Sequence, residues 1–109
     1  MSINLFAYLD TAPSLEEMCA SLAPLGLIYR HTLPADDRWS YPMHVFGHEG
    51  IRVVYHAGDP HQGEAVVDSM VAREDQQAHA TAHLVLAAVV RHYGGTIHDP
   101  RVMGRGAIL

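Results

Sequence analysis

The chain has 109 residues, enough for one domain (1–109) with a single core that needs no disulfide or metal staple. Its 49% hydrophobic content and near-zero mean hydropathy are those of a soluble globular protein. The formal charge is −5, every basic residue being an arginine, and net acidity argues against nucleic-acid binding, which depends on neutralising phosphate.

No apolar run is long enough to span a bilayer, and the first residues lack the basic region of a signal peptide. No membrane association and a cytoplasmic location are therefore expected. The single cysteine, Cys19, excludes an internal disulfide framework.

Ser2 to Asp10 is β-branched and aromatic, which predicts a first strand. Ile3, Leu5, Ala7 and Leu9 share one face and Asn4, Phe6, Tyr8 and Asp10 the other. Both faces are substantially apolar, so the strand belongs in the middle of a sheet. Ser14 and Glu17 are spaced as a capping box, with Pro13 just ahead. Leu15, Met18, Cys19 and Leu22 then follow the spacing of one helix face, and Cys19 reads as a small buried hydrophobe rather than a nucleophile. Pro24 and Gly26 end that helix, and Leu27 to Leu33 resumes as a strand.

Residues 34–42 form a polar, proline-bounded loop with the only tryptophan. Loops fixed at both ends by a scaffold often carry binding residues, and Asp36, Asp37, Trp39 and Tyr41 supply charge and flat aromatic area. The alternative is that Trp39 and Tyr41 fold back as a lid on the sheet edge. The turn that follows the next hairpin, with Asp59 and Glu64, is the second candidate surface.

Met43 to Ala57 predicts that hairpin. A two-residue Glu49-Gly50 turn would put Glu49 at positive φ, so a three-residue His48-Glu49-Gly50 loop is chemically better. It would pair Gly47 with Ile51, Val45 with Val53 and Met43 with Tyr55 on one apolar face. His44, Phe46, Arg52, Val54 and His56 would share the other. Glu64 to Ala72 predicts a further strand, on its valines and its alternation.

Arg73 to Pro100 reads as one long helix, capped by Asp75 and stopped at Gly94-Gly95, then a short extended piece over Thr96-Ile97-His98. Ala78, Ala82, Val85, Leu86, Val89 and Tyr93 form its core side. The opposite side carries Gln77 and Arg91, but also Ala80, Leu84, Ala87 and Ala88. Small alanines lower the cost of exposure, so this second face is expected to sit mildly exposed without a dedicated role. The tail from Arg101 can pair at an edge or stay loose.

The order β-α-β-β-β-β-α-β predicts an α+β two-layer sandwich. A mainly antiparallel sheet of five to six strands would carry two helices on one face, with a ferredoxin-like core as one arrangement.

His79 and His83, four residues apart, are the one metal-like pair, and Asp75 could join them. The motif HExxH needs glutamate where Ala80 stands, so no metal or other cofactor is expected. His44, Arg52 and His56 would lie on the polar side of the hairpin as a solvated cluster. No nucleophile elbow, P-loop, dinucleotide fingerprint or C-x-x-C occurs, which gives no positive case for an enzyme and no catalytic residue.

The opening Ile3-Asn4-Leu5-Phe6-Ala7-Tyr8-Leu9 resembles the first strand of small bacterial contact-dependent growth inhibition immunity proteins. The helix ending in Gly94-Gly95-Thr96-Ile97-His98-Asp99-Pro100 is similar to an ending found in immunity-like α/β proteins of polymorphic toxin systems. The resemblance implies a non-enzymatic inhibitor that binds a cognate toxin, and net acidity fits a partner with a basic surface. The rivals are a small histidine-using enzyme, a metal- or ligand-binding domain, and a homodimer with its site between subunits.

Overall fold

In a computed structural model the described residues are 2–35, 42–48, 51–57, 65–72, 74–99 and 107–108. Strand β1 (Ser2–Leu9) is followed by helix α1 (Leu15–Leu22) and a short 3-10 turn. Strands β2 (Ile28–Leu33), β3 (Met43–His48), β4 (Ile51–Ala57) and β5 (Ala65–Ala72) come next, then helix α2 (Gln76–Tyr93), β6 (Gly95–Asp99) and the two-residue β7 (Ala107–Ile108). The chain is thus an α+β two-layer sandwich with two helices on one face of an antiparallel sheet.

The sheet order is β2-β3-β4-β5-β1-β6-β7. Strand β1 pairs with β5 over its whole length and with β6 over residues 6–9, the central place its two apolar faces predict. The order β5-β1-β6, with α2 carrying the chain from β5 past β1 to β6, is a split β-α-β unit. Helix α1 instead carries the chain from β1 to β2 at the far edge, so only one of the two such units of a ferredoxin-like core is present. Strands β2, β3 and β4 extend that unit on one side, and β7 adds a short seventh strand on the other.

Alternation sets the buried face. Ile3, Leu5, Ala7 and Leu9 lie opposite Val71, Ser69, Val67 and Ala65, and all eight are buried beneath the helices. Burying a Leu or Val side chain contributes roughly 1.5–3 kcal/mol, so this double row anchors the core. From above, Met18 and Leu22 of α1 and Ala78, Ala82, Val85, Leu86 and Val89 of α2 close it. Cys19 packs against the same cluster as its place in the stripe predicts, but it is only partly buried, not fully buried as expected.

The helix caps form as the sequence requires. Ser14 Oγ accepts from the Glu17 N–H, and Glu17 Oε1 accepts from the Ser14 N–H, both at 3.1 Å. Asp75 Oδ1 accepts from the Ala78 N–H at 2.9 Å. Gly94 has positive φ, but its ψ of 149° is extended rather than left-handed helical, so the chain leaves α2 directly into β6. Two bonds tie the helices together: the Tyr93 hydroxyl meets Ser21 Oγ at 2.5 Å and donates to the Glu17 carbonyl at 3.2 Å.

The hairpin differs from the expected register. His48 pairs with Ile51, Gly47 with Arg52, Phe46 with Val53, Val45 with Val54 and His44 with Tyr55. This slip of one residue turns β3 over. Phe46 enters the core, fully buried, and Val45 moves to the other face. Burial of the large aromatic ring decides the register over turn chemistry, because Phe removes more apolar area from water than Val does. Gly47 gains a use as well. A Cβ there would sit 3.0 Å from Arg30 Nε, so glycine lets the Arg30 side chain cross the sheet.

Gly95 should tolerate no side chain. It pairs with Leu9 at φ 144°, and an added Cβ would lie 2.0 Å from the Tyr8 carbonyl oxygen. Gly95→Ala is expected to cost at least about 3 kcal/mol in urea unfolding, in the range of backbone strain combined with a core clash. Tyr55 provides a second check. Buried against the core with its hydroxyl donating to the Pro13 carbonyl, it has its pKa raised by desolvation from 10.0 to about 12. The neutral form is favoured by folding, so this contribution is present below pH 10.0 and lost as pH rises through about 12. Absorbance titration of the tyrosinates should show a late-ionising group that disappears in Tyr55→Phe.

Candidate functional site

The sheet has a second face, turned away from both helices, and its composition is unusual for a solvated surface. Three rows run across it. Ile28, Gly47, Arg52, Met70 and Asn4 make the first. His31, Val45, Val54, Asp68, Phe6 and His98 make the second. His56, Val66, Tyr8 and Thr96 belong to the third. Antiparallel sheets commonly leave one face to water, but that face then alternates to polar residues. Here Ile28 is 60% and Met70 52% exposed, Val54, Phe6 and Tyr8 are half-buried, and Val45 and Val66 are buried.

Three rings cluster at one end of this face. Phe6 stacks on His98 with centroids 5.4 Å apart, and Tyr8 meets His98 edge-on at 4.9 Å. Phe6 and Tyr8 are themselves edge-to-face at 5.4 Å. Thr96 Oγ1 lies 3.2 Å from His98 Nε2, holding the imidazole in the stack. Edge and offset contacts of this kind contribute roughly 0.5–1.5 kcal/mol beyond area burial and leave rigid, flat rings.

Asp68 stands in the middle row between Val54 and Phe6. Burial raises its pKa, and the diagonal neighbour Arg52 only partly opposes that rise. Among the described residues its Oδ1 is buried and lacks a hydrogen-bond partner. A carboxylate held this way gains from any cation brought to it, because desolvation has already been paid on folding. In sequence, Asp68 looked like one more position in a valine-rich strand. The available signal was an acid on the face opposite Ala65, Val67, Ser69 and Val71.

The expected cluster of His44, Arg52 and His56 does not assemble, because the turned register places His44 on the helix side. There His44 Nδ1 lies 2.8 Å from Thr32 Oγ1, which in turn meets the Tyr29 hydroxyl at 2.5 Å. Burial lowers the His44 pKa. Arg52 and His56 remain together on the face turned away from the helices.

On α2, His79 is buried and His83 reaches β6, its Nε2 2.7 Å from Oδ2 of the fully buried Asp99. Asp75 is engaged as the helix cap instead. Among the described residues, no three His, Cys, Asp or Glu side chains converge as a metal-binding group. Among them also, no helix is long and apolar enough to cross a membrane.

Asp36, Asp37, Trp39, Tyr41, Asp59 and Glu64, the sequence-predicted contact residues, lie outside the described residues, as does the question of Trp39 as a lid. The strand ends that flank them are described. Leu33 pairs with Met43, and Ala57 with Ala65, at the same end of the sheet. Comparison with protein-family models, with curated proteins and with solved structures finds no match.

Asp68→Asn tests the electrostatics. Because the folded pKa is raised, folding disfavours the charged form, and stability falls as pH rises from the unfolded value of 3.8 through the folded one. The variant should be more stable than the parent at neutral pH, by roughly 1 kcal/mol for relief of a poorly compensated buried charge. That gain should vanish below pH 3.8. Thermal melts of both proteins across this range provide the measurement.

Proposed function

We propose that this chain is a non-enzymatic immunity protein that binds and neutralises a cognate bacterial toxin through the face of its sheet turned away from the helices. The observation that carries the proposal is Asp68, a half-buried carboxylate among Val54, Phe6 and Met70. An apolar, aromatic centre around one poorly satisfied charge is the make-up of a binding hot spot, and it favours a partner with an arginine or lysine at its contact. Rigid rings lose little entropy on binding, which suits Phe6, Tyr8 and His98 as anchors. The acidic and aromatic segments carrying Asp36, Asp37, Trp39, Tyr41, Asp59 and Glu64 then supply steering charge from the adjoining end of the sheet.

A histidine-using enzyme or ligand-binding domain is the second reading, and its support is the His83–Asp99 pair. The two readings differ in which face matters. Co-expression should restore growth to cells that produce its cognate toxin, with the product of any adjacent gene the first candidate to test. Met70→Asp, on an exposed side chain, should weaken the complex by at least about tenfold while leaving the melt unchanged. Asp68→Asn should lower affinity even as it raises stability, a combination that misfolding cannot produce. Full protection by both variants, together with its loss in His83→Ala, would replace the first reading with the second.

A further inference from the structure

We infer that the outward face of α2 is a self-association surface, on which a second copy of this chain packs with its own α2 antiparallel. Ala80, Leu84, Ala87 and Arg91 follow one another at spacings that place them in a single stripe on the helix. Leu84 stands 70% exposed, the most exposed large apolar side chain among the described residues. It forms one wall of an open hollow of about 710 Å³, floored by Ala80, Ala87, Val90 and Ile97 and edged by His83 and Arg91.

A projecting leucine on the wall of an apolar hollow is self-complementary. A two-fold axis near Leu84 puts each Leu84 against the small Ala80 and Ala87 of the other copy, as an isologous interface requires. The hollow has a firm wall, because Asp99 is fully buried and holds His83 at 2.7 Å. A second helix laid along the stripe covers Leu84 and the rest of the hollow together.

Charge agrees with shape. Exposed Glu74 precedes α2 and exposed Arg91 ends it on the Leu84 stripe, whereas Asp75 is taken up as the cap and His92 lies on the α1 side near Glu17. In the antiparallel arrangement the acidic start of each helix lies against the basic end of the other, with the helix dipoles opposed. Parallel packing would set like charges together. The 18-residue helix is about 27 Å long, so one stripe can hold the knob at its middle and an ion pair near each end. Both helices lie on the side of the sheet away from Asp68, so such a dimer would leave the two Asp68 faces open to partners.

Sedimentation velocity over a roughly hundredfold range of concentration tests the inference. The parent should shift from monomer to dimer, and Leu84→Glu should remain monomeric with an unchanged melt. Arg91→Glu and Glu74→Arg should each weaken self-association by at least about tenfold, since each sets like charges at both ends. Mixed one to one, these two variants should form a heterodimer, because every end then pairs acid with base. A parent that is monomeric throughout, a dimer that survives Leu84→Glu, or a mixture that fails to associate would overturn the inference. So would stoichiometric binding of anilinonaphthalene sulfonate to a monomeric parent, lost in Ala87→Trp, which would assign the hollow to a small amphiphile. Toxin protection by Leu84→Glu is a separate readout, so failure of the dimer and failure of the immunity reading can be told apart.

Discussion

The structure depends on β1 being hydrogen-bonded along both edges, to β5 on one side and β6 on the other. A strand in that position must present two faces that each have something to pack against. Its inner side chains, Ile3 through Leu9, are buried under α1 and α2. Its outer ones, Phe6 and Tyr8, are large rings meeting His98 of β6. The close approach that permits the second edge is made at Gly95, where no side chain fits. Helix α2 must then span the distance from β5 to β6, and the length of that crossover fixes where its outward stripe ends.

Two layers leave three surfaces: the core between them, the outside of the helices and the outside of the sheet. An acidic chain with a well-filled core can leave both outer surfaces polar. Here both carry exposed apolar side chains: the sheet exposes Ile28 and Met70 among its polar residues, and α2 exposes Leu84 on the wall of a hollow. Contiguous apolar patches of this sort carry a free-energy cost in water, and two on opposite sides suit a protein with two separate contacts. The proposed basic partner would use the rigid rings and Asp68 of the sheet face, and the proposed second copy the stripe of the helix face.

Local signals were legible wherever a single element settles its own state. The capping box at Ser14 and Glu17, the cap at Asp75 and the alternation of β1 all read directly from spacing, because each involves residues a few positions apart. The core stripe of α2 and the half-buried Cys19 followed for the same reason. The hairpin shows the limit. Turn chemistry at Glu49-Gly50 favoured one register and burial of Phe46 the adjacent one, and the energy of a buried ring exceeds that of a turn preference.

The sequence by itself determined the α+β class, the element order and the inner face of each helix and of β1 and β4, since these follow from periodicity and caps. Only the tertiary structure decided that β6 returns beside β1, which brings His98 onto Phe6 and Asp99 under His83. It also separated His44 from Arg52 and His56, and set Asp68 amid apolar neighbours from two other strands. Each of these pairs residues distant along the chain. Strand order and register bring them together, and no local spacing encodes either, because both are settled by which arrangement removes most apolar area from water.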